Sequence, residues 1–184
     1  AASDASRAGS AEDEPPQPPG DGAIVLDITD TTDSLTPAQL GWLEAFGVRA
    51  IDAAVGEAVP GADGPHRVEL SLVDDAVMSE LHLAHGGVEG TTDVLTFDLR
   101  EGGEGPLEVE VVVCLDEARR MAGDEPVERE ALLYLLHGAL HCLGYDDHDP
   151  MEFARMHERE DEILRLIGVG AVFDDRRPCA EEGS

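Results

Sequence analysis

The segment Leu136-His137-Gly138-Ala139-Leu140-His141-Cys142-Leu143-Gly144-Tyr145-Asp146-Asp147-His148 decides how the rest of the chain is read. His137 and His141 are four residues apart, so on a helix they share a face, with Cβ atoms about 5–6 Å apart. The residues around them, from Ala131 to Leu136 and then Ala139, Leu140, Cys142 and Leu143, are apolar nearly all round, which predicts a buried helix. Two imidazoles in such a helix must find partners or incur a desolvation cost of about 1–3 kcal/mol. A shared metal ion meets that need with one object. Gly144 predicts the helix stop, and the turn Tyr145-Asp146-Asp147 brings up His148 from outside it. Two donors from one helical turn and a third from the following loop is the spacing of open catalytic zinc sites, which leave a fourth position for water. The expected ligands are therefore His137, His141 and His148 on one Zn2+ ion, with Asp147 as an alternative third donor. The competing reading is a metal-free histidine cluster.

Working outward, Asp149-Pro150 opens a last, strongly charged helix that ends before Gly168. Its acids Glu158, Glu160, Asp161 and Glu162 are expected to form a solvated face. Before the histidine helix, which starts at Pro126, the chain predicts strands at 23–28, 67–73, 92–99 and 107–115. Alternation of Val68, Leu70 and Leu72 marks the second, and the run Val111-Val112-Val113 suits a buried central strand. Helices are expected from the Thr36-Pro37 cap to Ala58, from an Asp74 or Asp75 cap to His85, and from an Asp116 cap to Ala122. This order predicts one α+β domain over residues 23–170, a small mixed four-stranded sheet packed with about five helices. Residues 1–22, rich in Pro, Ser and acids, and residues 171–184 cannot bury enough surface to order themselves and read as flexible tails.

The chain has 184 residues, enough for one domain with a core. No apolar run approaches the ~18–20 residues that cross a bilayer. The three cysteines (Cys114, Cys142, Cys179) are an odd number without a CxxC pair, which argues against a disulfide framework and for a reducing cytoplasm. Cys114 and Cys142 read as core. The charge is extreme: 41 acids face 12 cations, a formal net of −29, and every cation is arginine. Such a chain repels polyanions at low salt. A GC-rich genome would account for the arginines and a salty cytoplasm for the acids.

The segment from Leu136 to His148 resembles the signature of the YbeY family of ribosome-maturation endoribonucleases, commonly His-Gly-x-Leu-His-Leu-x-Gly-Tyr-Asp-His. Thr92-Asp93-Val94-Leu95-Thr96-Phe97 resembles that family's Thr-Asp-Val-Leu-Ser-Phe segment, and the strand from Leu107 to Cys114 resembles the acidic-then-apolar strand that follows it. With the order of elements, the resemblance covers roughly residues 23–168. It implies a zincin-like fold and a zinc-dependent hydrolase, an endonuclease cutting single-stranded ribosomal RNA during rRNA processing, ribosome biogenesis and ribosome quality control. The implied partners are single-stranded ribosomal RNA and ribosomal particles, in the cytoplasm, with neither membrane nor DNA. Three departures stand out. His148 lies eleven residues after His137 where the family spacing is ten. Gly86 stands where the family commonly has an arginine, leaving Arg67 or Arg100 to reach in. The family's RNA cleft is basic, and this chain is acidic.

A zinc ion on neutral histidines lowers the pKa of its water from 15.7 to about 7 and polarises a phosphoryl oxygen. Gly138 occupies the place of the glutamate in the metalloprotease pattern His-Glu-x-x-His, which argues against peptide hydrolysis. No protein base is assigned, and the water on the ion is the expected reacting group. Tyr145 and Asp146 either orient a ligand or only shape the turn. Asp93 is expected to cap or turn, His82 and His85 to lie at the surface, and Gly138 to admit a neighbouring strand. The alternatives are a non-catalytic ribosome-assembly factor with structural zinc, and a zinc hydrolase of another substrate.

Overall fold

A computed structural model describes residues 24–58 and 64–173. The expected N-terminal tail lies outside the described residues, as does the C-terminal one from 174 onward. In chain order the elements are β1 (Ile24–Asp30), α1 (Pro37–Ala58), β2 (His66–Val73), α2 (Asp75–Gly86), β3 (Val94–Asp98), β4 (Glu108–Cys114), α3 (Leu115–Ala122), α4 (Val127–Cys142) and α5 (Pro150–Leu166). The fold is α+β. One four-stranded mixed sheet has the order β1-β2-β4-β3, with β3 antiparallel to β4 and the other pairs parallel.

Local chemistry sets the boundaries. Thr36 and Gln39 cap α1 reciprocally: the Gln39 amide donates to Thr36 Oγ1 and the Thr36 amide to Gln39 Oε1. Asp74 accepts from the Val77 amide at the start of α2, and Asp149 accepts from the Met151 and Glu152 amides at the start of α5. The expected Asp116 cap is displaced. Helix α3 begins at Leu115, straight off β4. Asp116 sits in its first turn and accepts instead from the Asp75 amide of α2.

Strand periodicity divides the core. Val68, Leu70 and Leu72 of β2 with Val109, Val111 and Val113 of β4 face α1, α4 and α5. Val73, Val112 and Cys114 point to the other side, against Met78 of α2. The central β4 is thus covered on both faces, as its unbroken valine run requires. Helix α4 runs through the larger core with Leu132, Leu135, Leu136 and Leu140 fully buried, each stabilising the fold by about 1.5–3 kcal/mol. It lies directly on the sheet at Gly138, where an added Cβ would stand 2.4 Å from Thr96 Oγ1 and 3.2 Å from Val111 Cγ1. No helix among the described residues is long and apolar enough to cross a membrane.

Candidate metal centre

Helix α4 is held over β3 and β4 with its histidines emerging at its C-terminal end. After Leu143 the chain turns through Gly144, whose φ of 93° is open to glycine, and the Tyr145 amide donates to the Leu140 carbonyl. Arg100 braces the same helix end, donating to the Cys142 carbonyl while paired to Asp98. This turn folds the loop 145–148 back over the histidines.

His137 and His141 face each other with their Nε2 atoms 3.1 Å apart. Both Nδ1 atoms are engaged elsewhere. His137 Nδ1 lies 2.7 Å from Glu160 Oε1, and His141 Nδ1 lies 3.2 Å from the Tyr145 carbonyl. With Nδ1–H donating in each ring, two Nε2 lone pairs point at one another, an arrangement that repels unless a cation lies between them. Asp147 supplies the third corner: its Oδ2 is 3.8 Å from His137 Nε2 and 3.9 Å from His141 Nε2. These edges bracket the roughly 3.3–3.6 Å that three donors of a tetrahedron present when they share one zinc at about 2.0–2.2 Å. The donor set His137, His141 and Asp147 therefore fits a divalent ion.

His148, the third ligand expected from the sequence, is not gathered with this pair. Its side chain is 84% exposed and its Nδ1 is bound by Asp146. Asp147 stands ten residues after His137, so the turn places that position, and not the next, over the histidine pair. Asp146 shapes the turn by accepting from the Asp147 and His148 amides. Tyr145 orients His141 through its backbone carbonyl, while its ring lies 5.6 Å from the Arg155 guanidinium.

The expectation that the acids of α5 form a solvated face is overturned for two of them. Glu160 is fully buried and Asp161 nearly so. Glu160 takes His137 Nδ1 on one oxygen and His157 Nδ1, at 2.5 Å, on the other. Asp161 accepts from the Val172 and Phe173 amides, so residues 171–173 pack against the domain. Burial would push the Glu160 carboxyl up, but the two histidines hold it below its ordinary value. Burial would likewise lower the His137 pKa, but Glu160, with Asp93 and Asp147, raises it. The sequence carried a signal for these residues. His157, Glu160, Asp161 and Leu164 repeat at three- and four-residue spacing, the stripe of a buried helix face.

The centre opens into a cleft of about 500 Å³. Its lining includes His137, Asp147, His157 and Glu160, with Phe153 and Phe173, and also Thr91, Thr92, Asp93 and Glu117. Asp93 both turns its own strand, accepting from the Val94 amide, and faces this cleft. No arginine is among the described residues lining it. Arg67 and Arg100 line a separate groove, and Gly86 closes α2. Cys114 is buried, and burial raises the Cys142 thiol to about 11, leaving it protonated at neutral pH. His85 is exposed, while His82 is half-buried with its Nδ1 3.0 Å from the Gly90 carbonyl.

The chain is similar in sequence to known proteins. The family model described as endoribonuclease YbeY matches residues 46–168. A protein named endoribonuclease YbeY from Salinibacter ruber is 40% identical over 121 residues, covering 59% of this chain and 76% of its own. One from Desulfitobacterium hafniense is 30% identical over 157 residues, covering 79% of this chain and 99% of its own. Against one from an Anaeromyxobacter species the chain is 40% identical over 116 residues and spans 60% of the relative's length.

Proposed function

Because the chain belongs to the YbeY family, we propose that it is a zinc-dependent endoribonuclease cutting single-stranded ribosomal RNA in the cytoplasm, during maturation and quality control of ribosomes. The observation that carries this reading is the convergence of His137, His141 and Asp147 at the edge of an open cleft. His137 and His141 would hold the ion through Nε2. The loop supplies the third donor, and the structure favours Asp147 over His148 for that place. When bound, a divalent ion supplies a Lewis acid and a water of lowered pKa. Glu160 and the Tyr145 carbonyl fix the two imidazoles in the tautomer that leaves Nε2 free. No side chain is assigned as general base.

The cleft bears no arginine among its described lining residues, and this favours a second reading, a ribosome-assembly factor whose zinc is structural. One experiment separates them. Protein stripped with chelator and reloaded with zinc is incubated with single-stranded ribosomal RNA at moderate and high salt. Metal-dependent cleavage, lost in a folded His137→Ala variant, supports the nuclease. Binding to ribosomal particles by zinc-loaded protein that leaves RNA intact overturns it in favour of the second.

A further inference from the structure

We propose that the wall formed by Phe153 beside the metal centre is a stacking site for one unpaired nucleobase of the RNA strand; this rests on the nuclease reading above. Phe153 lies on α5 just after its Asp149 cap and is 41% exposed, although its ring belongs to an aromatic corner. His157 and Phe173 stack face to face, centroids 3.6 Å apart and 4° from parallel. The Phe153 ring stands across both, at 74° and 4.2 Å from His157 and at 71° and 5.8 Å from Phe173. It is braced from behind and open to the cleft.

The corner and the centre are one rigid unit. His157 is tied to Glu160, and Glu160 to His137. A base resting on Phe153 is therefore held in fixed relation to the ligand histidines.

Charge decides what such a cleft can grip. Its carboxylates are Asp93, Glu117, Asp147 and Glu160, and no arginine is among its described lining residues. Phosphates are repelled everywhere except at a bound cation. A base is not: every base offers a π face, and stacking on an aromatic side chain is worth about tenfold to a hundredfold in affinity. Asp93, which also lines the cleft and whose Oδ1 accepts from the Thr92 hydroxyl and the Val94 amide, has its other carboxylate oxygen to offer a base N–H group. An unpaired base is required because only a splayed base exposes its face.

The test uses the full-length, zinc-loaded chain. Binding of a fluorescein-labelled single-stranded oligoribonucleotide is followed by anisotropy at two salt concentrations, alongside steady-state cleavage. Phe153→Ala, assayed at saturating zinc and well below its somewhat lowered melting temperature, is expected to weaken binding and raise KM about tenfold or more, with kcat within about twofold. Phe153→Trp restores affinity. Moving a single abasic site along the oligonucleotide should find one position whose loss weakens wild-type binding but not that of Phe153→Ala. Affinity should stay nearly level or rise with salt, since few phosphates are neutralised and screening weakens the repulsion by the acidic cleft. Cleavage and binding unchanged in Phe153→Ala would overturn the stacking site and leave the nuclease reading standing. Failure of the zinc-loaded wild type to bind single-stranded RNA would overturn both.

Discussion

Asp147 carries one negative charge where a histidine would carry none, so the centre would leave a bound dication with one net positive charge, not two. Carboxylates are good zinc ligands, and two histidines with one carboxylate also suit iron and other divalent ions. Replacing Asp147 by Asn is expected to weaken zinc affinity at least tenfold, whereas His148→Ala should leave it within about twofold. Titration with a competing chelator measures both, and the opposite ranking would return the third place to His148. Glu160 should matter almost as much. Glu160→Gln is expected to cost about 10–100-fold in affinity, since it orients a ligand it does not replace. Acidity enters through His137. A raised pKa means that protons compete for Nε2 from above the ordinary 6.5. Apparent zinc affinity should then fall as pH drops through that raised value, by about tenfold per pH unit for each proton displaced. His137 and His141 were legible in the sequence because their spacing is helical. The sequence left the third place between His148 and Asp147, because the backbone of a four-residue turn decides which of the two positions faces the pair.

At the level of elements, packing overrides helix propensity at Gly138. Alanine is the better helix former by about 1 kcal/mol, but its methyl would meet Thr96 and Val111. Gly138→Ala is expected to destabilise by about 1–3 kcal/mol through overpacking. Gly41→Ala in α1, where nothing lies within 4 Å, should stabilise by about 0.5–1 kcal/mol. Urea unfolding of the two variants checks the contrast. Helices α2 and α3 are joined at the surface by Arg120, which forks onto Asp75 at 2.8 Å and onto Glu117. Chiefly through Arg120, the Asp75 carboxyl is held down at about 2, against 3.8. The bridge therefore contributes fully above about pH 3.8 and fades as pH falls through about 2. Arg120→Ala should lower stability slightly at neutral pH, and the difference should close in strong acid. The caps Thr36, Asp74 and Asp149 were readable because a capping side chain acts within three residues of itself. Asp116 was misread because the strand-to-helix junction left it serving a neighbouring helix. Glu160 and Asp161 were misread because charge ordinarily marks a wet face, while here pairing with histidines and backbone amides compensates for burial.

Over the whole molecule, 41 acids against 12 arginines make self-repulsion a standing term. Raising sodium chloride from about 0.05 M to about 1 M shortens the screening length to about 3 Å and should raise the melting temperature by several degrees. A melting temperature that falls over that range would show that attractive surface pairs dominate instead. The sheet and its helix layers followed from strand alternation and the valine run, signals that reach across the molecule. The cleft did not, because it is assembled from side chains far apart in the chain. One of its supports comes late. Asp161 binds the amides of Val172 and Phe173, and Phe173 covers His157. A protein shortened to end at Gly170 would retain His137, His141 and Asp147 yet strip the roof from the ring that steadies Glu160. Engineers who trim this end, or fuse a reporter there, should leave residues 171–173 intact if the grip on metal is to survive.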